Sequence, residues 1–162
     1  MNHYVFCFLA VVLSSRNVSE TMKTKMSLRK RIFQAGSVER YFRKSFTVSM
    51  EERLVKAYKC SLFTTAGPIK GRIFITSDRI SFRSKKLLKL SISKGEVAKV
   101  PYKVSVPLGK IKKTALSENL NKPEEKYVQI VTIDEFEFWF MGFVNYKISF
   151  ELLHFAISAG EQ

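Results

Sequence analysis

At 162 residues the chain is long enough for one domain of ordinary size and too short for two. Apolar types at 46% and aromatics at 13% supply a buried core and exclude wholesale disorder, while Lys+Arg 28 against Asp+Glu 14 leaves a net charge of +14 that asks for a negatively charged partner, a lipid headgroup surface or a nucleic acid. Two cysteines, Cys7 and Cys60, exclude a disulfide-rich scaffold and a four-cysteine zinc site, and two histidines, His3 and His154, leave little for metal or triad chemistry.

The chain begins with a ten-residue apolar run, Tyr4 to Leu13, too short to cross a bilayer as a helix. It has the length of a signal-peptide core, and Leu13-Ser14-Ser15 offers small residues for cleavage. Yet Met1-Asn2-His3 carries no Lys or Arg, so secretion is not the expected reading, and Asn17-Val18-Ser19 would be a glycosylation acceptor only in a secreted chain. Arg16 to Gly36 is polar and basic without sustained period, and Ser27 to Arg31 reads as part of a basic arm rather than an address signal. Residues 1–35 are therefore expected to form a variable N-terminal tail, a short apolar run followed by a basic arm.

From about residue 53 the pattern is strand after strand. Leu54, Tyr58, Cys60 and Leu62 share one face of an extended segment, and Thr64 to Pro68 is a turn. Lys70 to Thr76 places Ile73 and Ile75 on one side and Arg72, Phe74 and Thr76 on the other. After Ser77-Asp78, Arg79 to Ser84 alternates Ile80 and Phe82 with Arg79, Ser81 and Arg83, which predicts a hairpin. Leu87 to Ile92 is expected as a separate short strand closed by a turn at Ser93 to Glu96. Val100, Tyr102, Val104 and Val106 then form one face of a strand that Pro107 ends or places at an edge.

Glu118 to Glu125 reads as a polar loop. Lys126 to Ile133 and Phe136 to Met141 follow as a hairpin, with Phe136, Phe138 and Phe140 predicted to enter the core and Trp139 to face the other way, either under the helix or on a partner surface. The period then changes to 3.6: Phe143, Tyr146, Phe150, Leu153 and Ile157 make one helical stripe, with Asn145 as N-cap and Gly160 beyond the end. Seven or so antiparallel strands and one amphipathic C-terminal helix predict a mainly β, α+β fold in which the helix covers the open end of a curved sheet.

The charge is unevenly spread. Arg16 to Lys44 carries a net +7, Ser45 to Ile69 +1 and Lys70 to Lys113 +11, whereas Thr114 to Gln162 carries −5. A folded domain with this asymmetry presents one strongly positive region that attracts polyanions through its summed field.

Several segments resemble a known family. Tyr58 to Gly71 (YKCSLFTTAGPIKG) is similar to the first hairpin of plant GRAM-domain proteins of the ABA-responsive, GEM-like subfamily. Phe74-Ile75-Thr76 with Ile80-Ser81-Phe82, Tyr102 to Leu108, Tyr127 to Thr132 and Phe136 to Tyr146 resemble its later strands, so the likeness covers about residues 36–158, with Gly36 to Phe46 as a lead-in helix. It implies a pleckstrin-homology-like barrel of about seven antiparallel strands in two sheets, capped by a C-terminal helix. It also implies a non-catalytic binding module, acting at membranes or as an adaptor in hormone, stress or developmental responses, cytoplasmic with peripheral-membrane or nuclear placement. No catalytic residue, metal ligand or cofactor comes with it. The expected partners are anionic lipid headgroups, phosphoinositides in particular, or a protein regulator, with no nucleic acid.

Pleckstrin-homology-like domains that bind phosphoinositides set basic residues on the first two strands and the loop between them. Lys59, Lys70 and Arg72 match that spacing, and Arg83, Lys85 and Lys86 after the third strand are candidates to close the same pocket. Phosphate oxygens require charged donors, a planar fork from Arg or a point charge from Lys. Taken singly, each of these six is better explained as an ordinary water-facing strand residue, and the basic face as a whole is the firmer expectation. Lys110, Lys112 and Lys113 either extend the patch or guard an edge, Cys60 is expected to be an inert buried thiol, and His154 is expected to be packed or half exposed rather than functional.

Overall fold

The computed structural model describes residues 34–91 and 97–160. The expected N-terminal tail and the Ser93 to Glu96 turn lie outside the described residues, apart from the tail's last two positions. Residues 34–45 form helix α1, and the larger of the chain's two compact units, Phe42–Gln162, starts in its last turn.

Seven strands follow: β1 (Leu54–Thr64), β2 (Gly67–Thr76), β3 (Arg79–Ser91), β4 (Val97–Pro107), β5 (Ile111–Asn119), β6 (Lys122–Thr132) and β7 (Glu137–Met141). A 3-10 turn, Leu108–Lys110, joins β4 to β5, and helix α2 (Tyr146–Gly160) ends the fold. Every pairing is antiparallel, and the hydrogen-bonded order is β4-β3-β2-β1-β7-β6-β5. The two expected sheets are thus halves of one continuous sheet, joined where Ser61, Leu62 and Phe63 of β1 pair with Met141, Phe140 and Trp139 of β7.

The inner face carries the core. Cys60 and Leu62, Ile73 and Ile75, Ile80 and Phe82, Val106, Val128 and Ile130, and Phe140 all point inward, as the period-2 pattern dictates. Helix α2 adds Leu152, Leu153, Ala156 and Ile157 to the same cluster, packing on β2, β5, β6 and the 3-10 turn. Asn145 caps it: Oδ1 accepts from the backbone N–H of Ile148 at 3.2 Å.

Four boundaries differ from the sequence reading. Leu87 to Ser91 is not a separate strand but the second half of β3, which runs through a register shift between Arg83 and Leu87. Ser84 bridges that irregularity, donating to the Lys86 carbonyl at 2.6 Å and accepting from the Tyr102 N–H at 2.9 Å, so the strand need not break. Pro68 lies inside β2, opposite Phe63; β3 pairs with β2 only from Gly71 onward, so the N–H that proline lacks is not missed there. The polar loop shrinks to Leu120-Asn121, because β5 runs on to Asn119 and β6 starts at Lys122, which pairs with Asn119, while Pro123 to Glu125 bulge at a register shift before Lys126 meets Glu118. Phe136 is 66% exposed, outside the core: β7 starts one residue later, and the alternation that buries Phe138 and Phe140 does not reach back into the turn, where Glu135 takes φ 60°.

The outer face of β2 is also covered over its C-terminal half. Phe42 and Phe46 sit on Phe74, with ring centroids 5.2 and 6.0 Å away, and Phe74 and Thr76 are fully buried. The second half of the strand, Ile73 to Thr76, which reads as half-solvated, is enclosed on both sides, while Lys70 and Arg72 stay accessible.

Candidate functional site

Register, rather than sequence spacing, assembles the cations. Lys59 on β1 lies opposite Arg72 on β2, Arg72 opposite Arg83 on β3, and Arg83 opposite Lys103 on β4. Directly paired residues share a face, so four cationic side chains form one transverse row on the outer side of the sheet. Like charges in direct opposition are unfavourable, and the row persists only with compensation from elsewhere.

At one end that compensation is internal. Arg83 Nη1 donates to Ser45 Oγ at 2.7 Å, and Lys103 Nζ donates to the Ser45 carbonyl and lies 5.6 Å from the Phe46 ring centroid. The last turn of α1 presents carbonyls that attract cations, so these two side chains fasten the C-terminal end of the helix to the sheet. At the other end, Lys59 is exposed and Arg72 half-buried, and neither has an ion pair among the described residues.

Three of the six predicted residues, Lys59, Arg72 and Arg83, therefore lie in the row. Lys70 is exposed two positions before Arg72 on the same face, opposite Ser61. Lys85 and Lys86 are exposed in the irregular stretch of β3, outside the paired register. The turn between β1 and β2 consists of Thr65 and Ala66, so no cation stands on the loop itself. Lys103 was not among the predicted residues; its place in the alternation of β4 is legible, but its pairing with Arg83 follows from a register that the irregularity in β3 hides.

The carboxylates are concentrated elsewhere. On the β5–β7 half, Lys112 pairs with Glu135, Lys122 with Glu125 and Lys126 with Glu118, and the Lys112 ammonium holds the Glu135 carboxyl below its ordinary value. Lys112 and Lys113 stand on β5, an outermost strand of the sheet, where charge discourages edge-to-edge pairing. On the β1–β4 half the buried carboxylate of Glu52 is taken by Arg79. Cys60 is buried, and burial pushes its thiol up to about 12, which leaves it inert at neutral pH; His154 is exposed on α2. Among the described residues no group of His, Cys, Asp and Glu is placed to hold a metal ion, and no helix is long and apolar enough to cross a membrane.

The sequence matches the profile of the GRAM domain over residues 40–158, most of the chain. The chain belongs to the GRAM domain family. The chain is 47% identical to GEM-like protein 6 of Arabidopsis thaliana over 90% of the chain's length, and 43% identical to GEM-like protein 7 of the same plant, also over 90%. The chain spans 66% and 69% of those two relatives. Among solved structures, the fold resembles the C-terminal domain of an unknown protein from Leishmania infantum (TM-score 0.60, 19% identity, 74% of this chain and 97% of that one). It also resembles the hSac2 domain of the human phosphoinositide phosphatase Sac2 (TM-score 0.50, 9% identity, 90% and 85%). At these identities both speak to the fold alone, an antiparallel seven-stranded sheet with a C-terminal helix.

Proposed function

We propose that this GRAM domain is a non-catalytic module that docks on anionic phospholipid surfaces, phosphoinositide-bearing membranes in particular, through the outer face of β1 and β2. The observation that carries this reading is the in-register opposition of Lys59 and Arg72, with Lys70 beside them and no carboxylate partner among the described residues. Such a grouping costs repulsion in the free protein and is relieved by phosphate oxygens. Each cation near an anionic bilayer contributes roughly 1 kcal/mol, so Lys59, Lys70 and Arg72 together reach roughly 3 kcal/mol, a millimolar association that salt weakens. Arg83 serves by holding the end of α1. The family resemblance extends the reading to a peripheral adaptor in hormone, stress or developmental responses.

The test is co-sedimentation with vesicles of phosphatidylcholine alone, or doped with phosphatidylserine or a phosphoinositide. The expected result is binding to the doped vesicles that falls with added salt and is lost in Lys59→Glu/Lys70→Glu/Arg72→Glu. Equal, negligible binding of the native domain to all three vesicles would overturn the reading in favour of a protein-binding adaptor with no lipid ligand.

A further inference from the structure

The outer face of β1 carries more than cations. Two alternations beyond Lys59, Phe63 points to the same side, is 50% exposed, and pairs in register with Trp139 of β7. Tyr127 of β6 completes a trio: its ring stands edge-on to Phe63 (centroids 6.3 Å, 81°) and to Trp139 (6.3 Å, 80°). With Ser117, Glu118 and Asn119 of β5 these rings enclose an open concavity of about 290 Å³.

The polar edges of the rings are already committed. The Tyr127 hydroxyl donates to Glu125 Oε2 at 3.0 Å, and the indole N–H of Trp139 donates to Glu137 Oε2 at 3.1 Å. Asn119 Nδ2 also donates to Glu125 Oε2, at 3.0 Å, so one carboxylate positions two walls. These bonds, the one from Asn119 foremost, hold Glu125 below the usual carboxylate range, and Glu125 in turn raises Tyr127. Glu118 and Glu125 have lysine partners, whereas Glu137 is held by the neutral donors Trp139 and Gln129. Three carboxylates against two lysines leave the rim negative in an otherwise cationic domain.

This chemistry narrows the ligand. An anion meets carboxylates. A polyproline or other peptide backbone seeks ring N–H and O–H donors for its carbonyls, and both are taken. What the concavity offers is π faces in a negative field, which suits a cation with an apolar surface; a quaternary ammonium has no N–H of its own and asks for nothing further. The volume matches a small group rather than a drug-sized one.

We propose that Phe63, Tyr127 and Trp139 form a binding site for a choline-type quaternary ammonium, free or carried as a lipid headgroup. This site stands apart from the basic row, and its test does not depend on anionic lipid. Trp139 is the chain's single tryptophan, so its emission reports on the concavity directly.

The experiment titrates the domain with choline, with its neutral carbon isostere 3,3-dimethylbutan-1-ol, with ethanolamine and with a trimethyl-lysine peptide, reading Trp139 fluorescence. Choline is expected to give saturable, millimolar binding, with the isostere and ethanolamine roughly tenfold weaker. Tyr127→Ala is expected to abolish the choline response with the far-ultraviolet circular dichroism unchanged. Vesicles of phosphatidylcholine set against phosphatidylethanolamine assign the source: a Trp139 response to the former marks the headgroup, and its absence alongside choline binding marks the free molecule. An isostere as tight as choline, no saturation by choline, or a peptide bound far tighter than choline would each overturn the proposal.

Discussion

Arg79 on β3 grips Glu52 with both arms of its guanidinium: Nε lies 2.9 Å from Oε1 and Nη2 2.8 Å from Oε2. Thr76 Oγ1 donates to the same carboxylate at 2.8 Å, and Glu52 is only 3% exposed. The contact ties the segment between α1 and β1 to the β2–β3 turn. Removing one partner of a buried pair costs more than the pair is worth, because the other is left uncompensated. Arg79 is the more accessible of the two, so Glu52→Gln is expected to cost about 2 kcal/mol and Arg79→Met about 3 kcal/mol or more, read from urea midpoints. Equal, small losses would show the fork to be dispensable.

The two ends of the cationic row should respond differently to truncation. Lys59→Ala and Lys70→Ala are each expected to weaken binding to anionic vesicles about fivefold while leaving the thermal midpoint unchanged. Arg83→Ala, which loses the bond to Ser45, is expected to lower stability by about 1–2 kcal/mol. A stability loss at Lys59 equal to that at Arg83 would contradict this division.

Gly71 sits where the inner face has no room. A Cβ there would lie 2.3 Å from the Arg83 carbonyl oxygen and 2.4 Å from the Phe82 ring, and the carbonyl belongs to a paired strand that cannot swing aside. Gly71→Ala is expected to destabilise by about 2 kcal/mol or more. Gly36, with open space around it, is expected to accept alanine without loss, which makes it the control in the same denaturation series.

The buried Cys60 thiol predicts an alkaline weakness. In the unfolded chain it ionises near 9.0, whereas in the fold burial holds it protonated up to about 12. Between those values the folded state keeps a proton that the unfolded state loses, so stability is full below pH 9 and falls as pH rises, by at most about 1.4 kcal/mol per unit. Cys60→Ala is expected to lower stability at pH 7 but to flatten the decline above pH 9. A thiol that reacts with iodoacetamide at pH 8 as fast in the native protein as in urea would refute the assignment.

The succession of strands along the chain and the helix position were legible because the core obeys two simple periods. Ile73, Ile75, Ile80 and Phe82 alternate as a half-buried hairpin must, and Leu153 and Ile157 recur at helical spacing. Phe136 misled because alternation says nothing about where a ladder ends. Arg83 was legible as a cation but not as a fastener, since its partner Ser45 is 38 positions away and only tertiary packing brings it near. The aromatic concavity was half legible: Trp139 was read as facing away from the Phe stripe, but its meeting with Phe63 depends on the β1–β7 pairing, which no local pattern encodes.

That pairing sets an order of assembly. β1 to β4 and β5 to β7 are each chains of neighbouring hairpins that need only adjacent sequence, whereas Ser61, Leu62 and Phe63 must wait for Phe140 and its neighbours near the other end of the chain. During synthesis on the ribosome the first meander emerges with the second edge of β1 bare, a sticky ribbon held open until the final strand arrives. Closure of that three-residue clasp is therefore the step at which β1 ceases to offer a bare edge, leaving only β4 and β5 outermost.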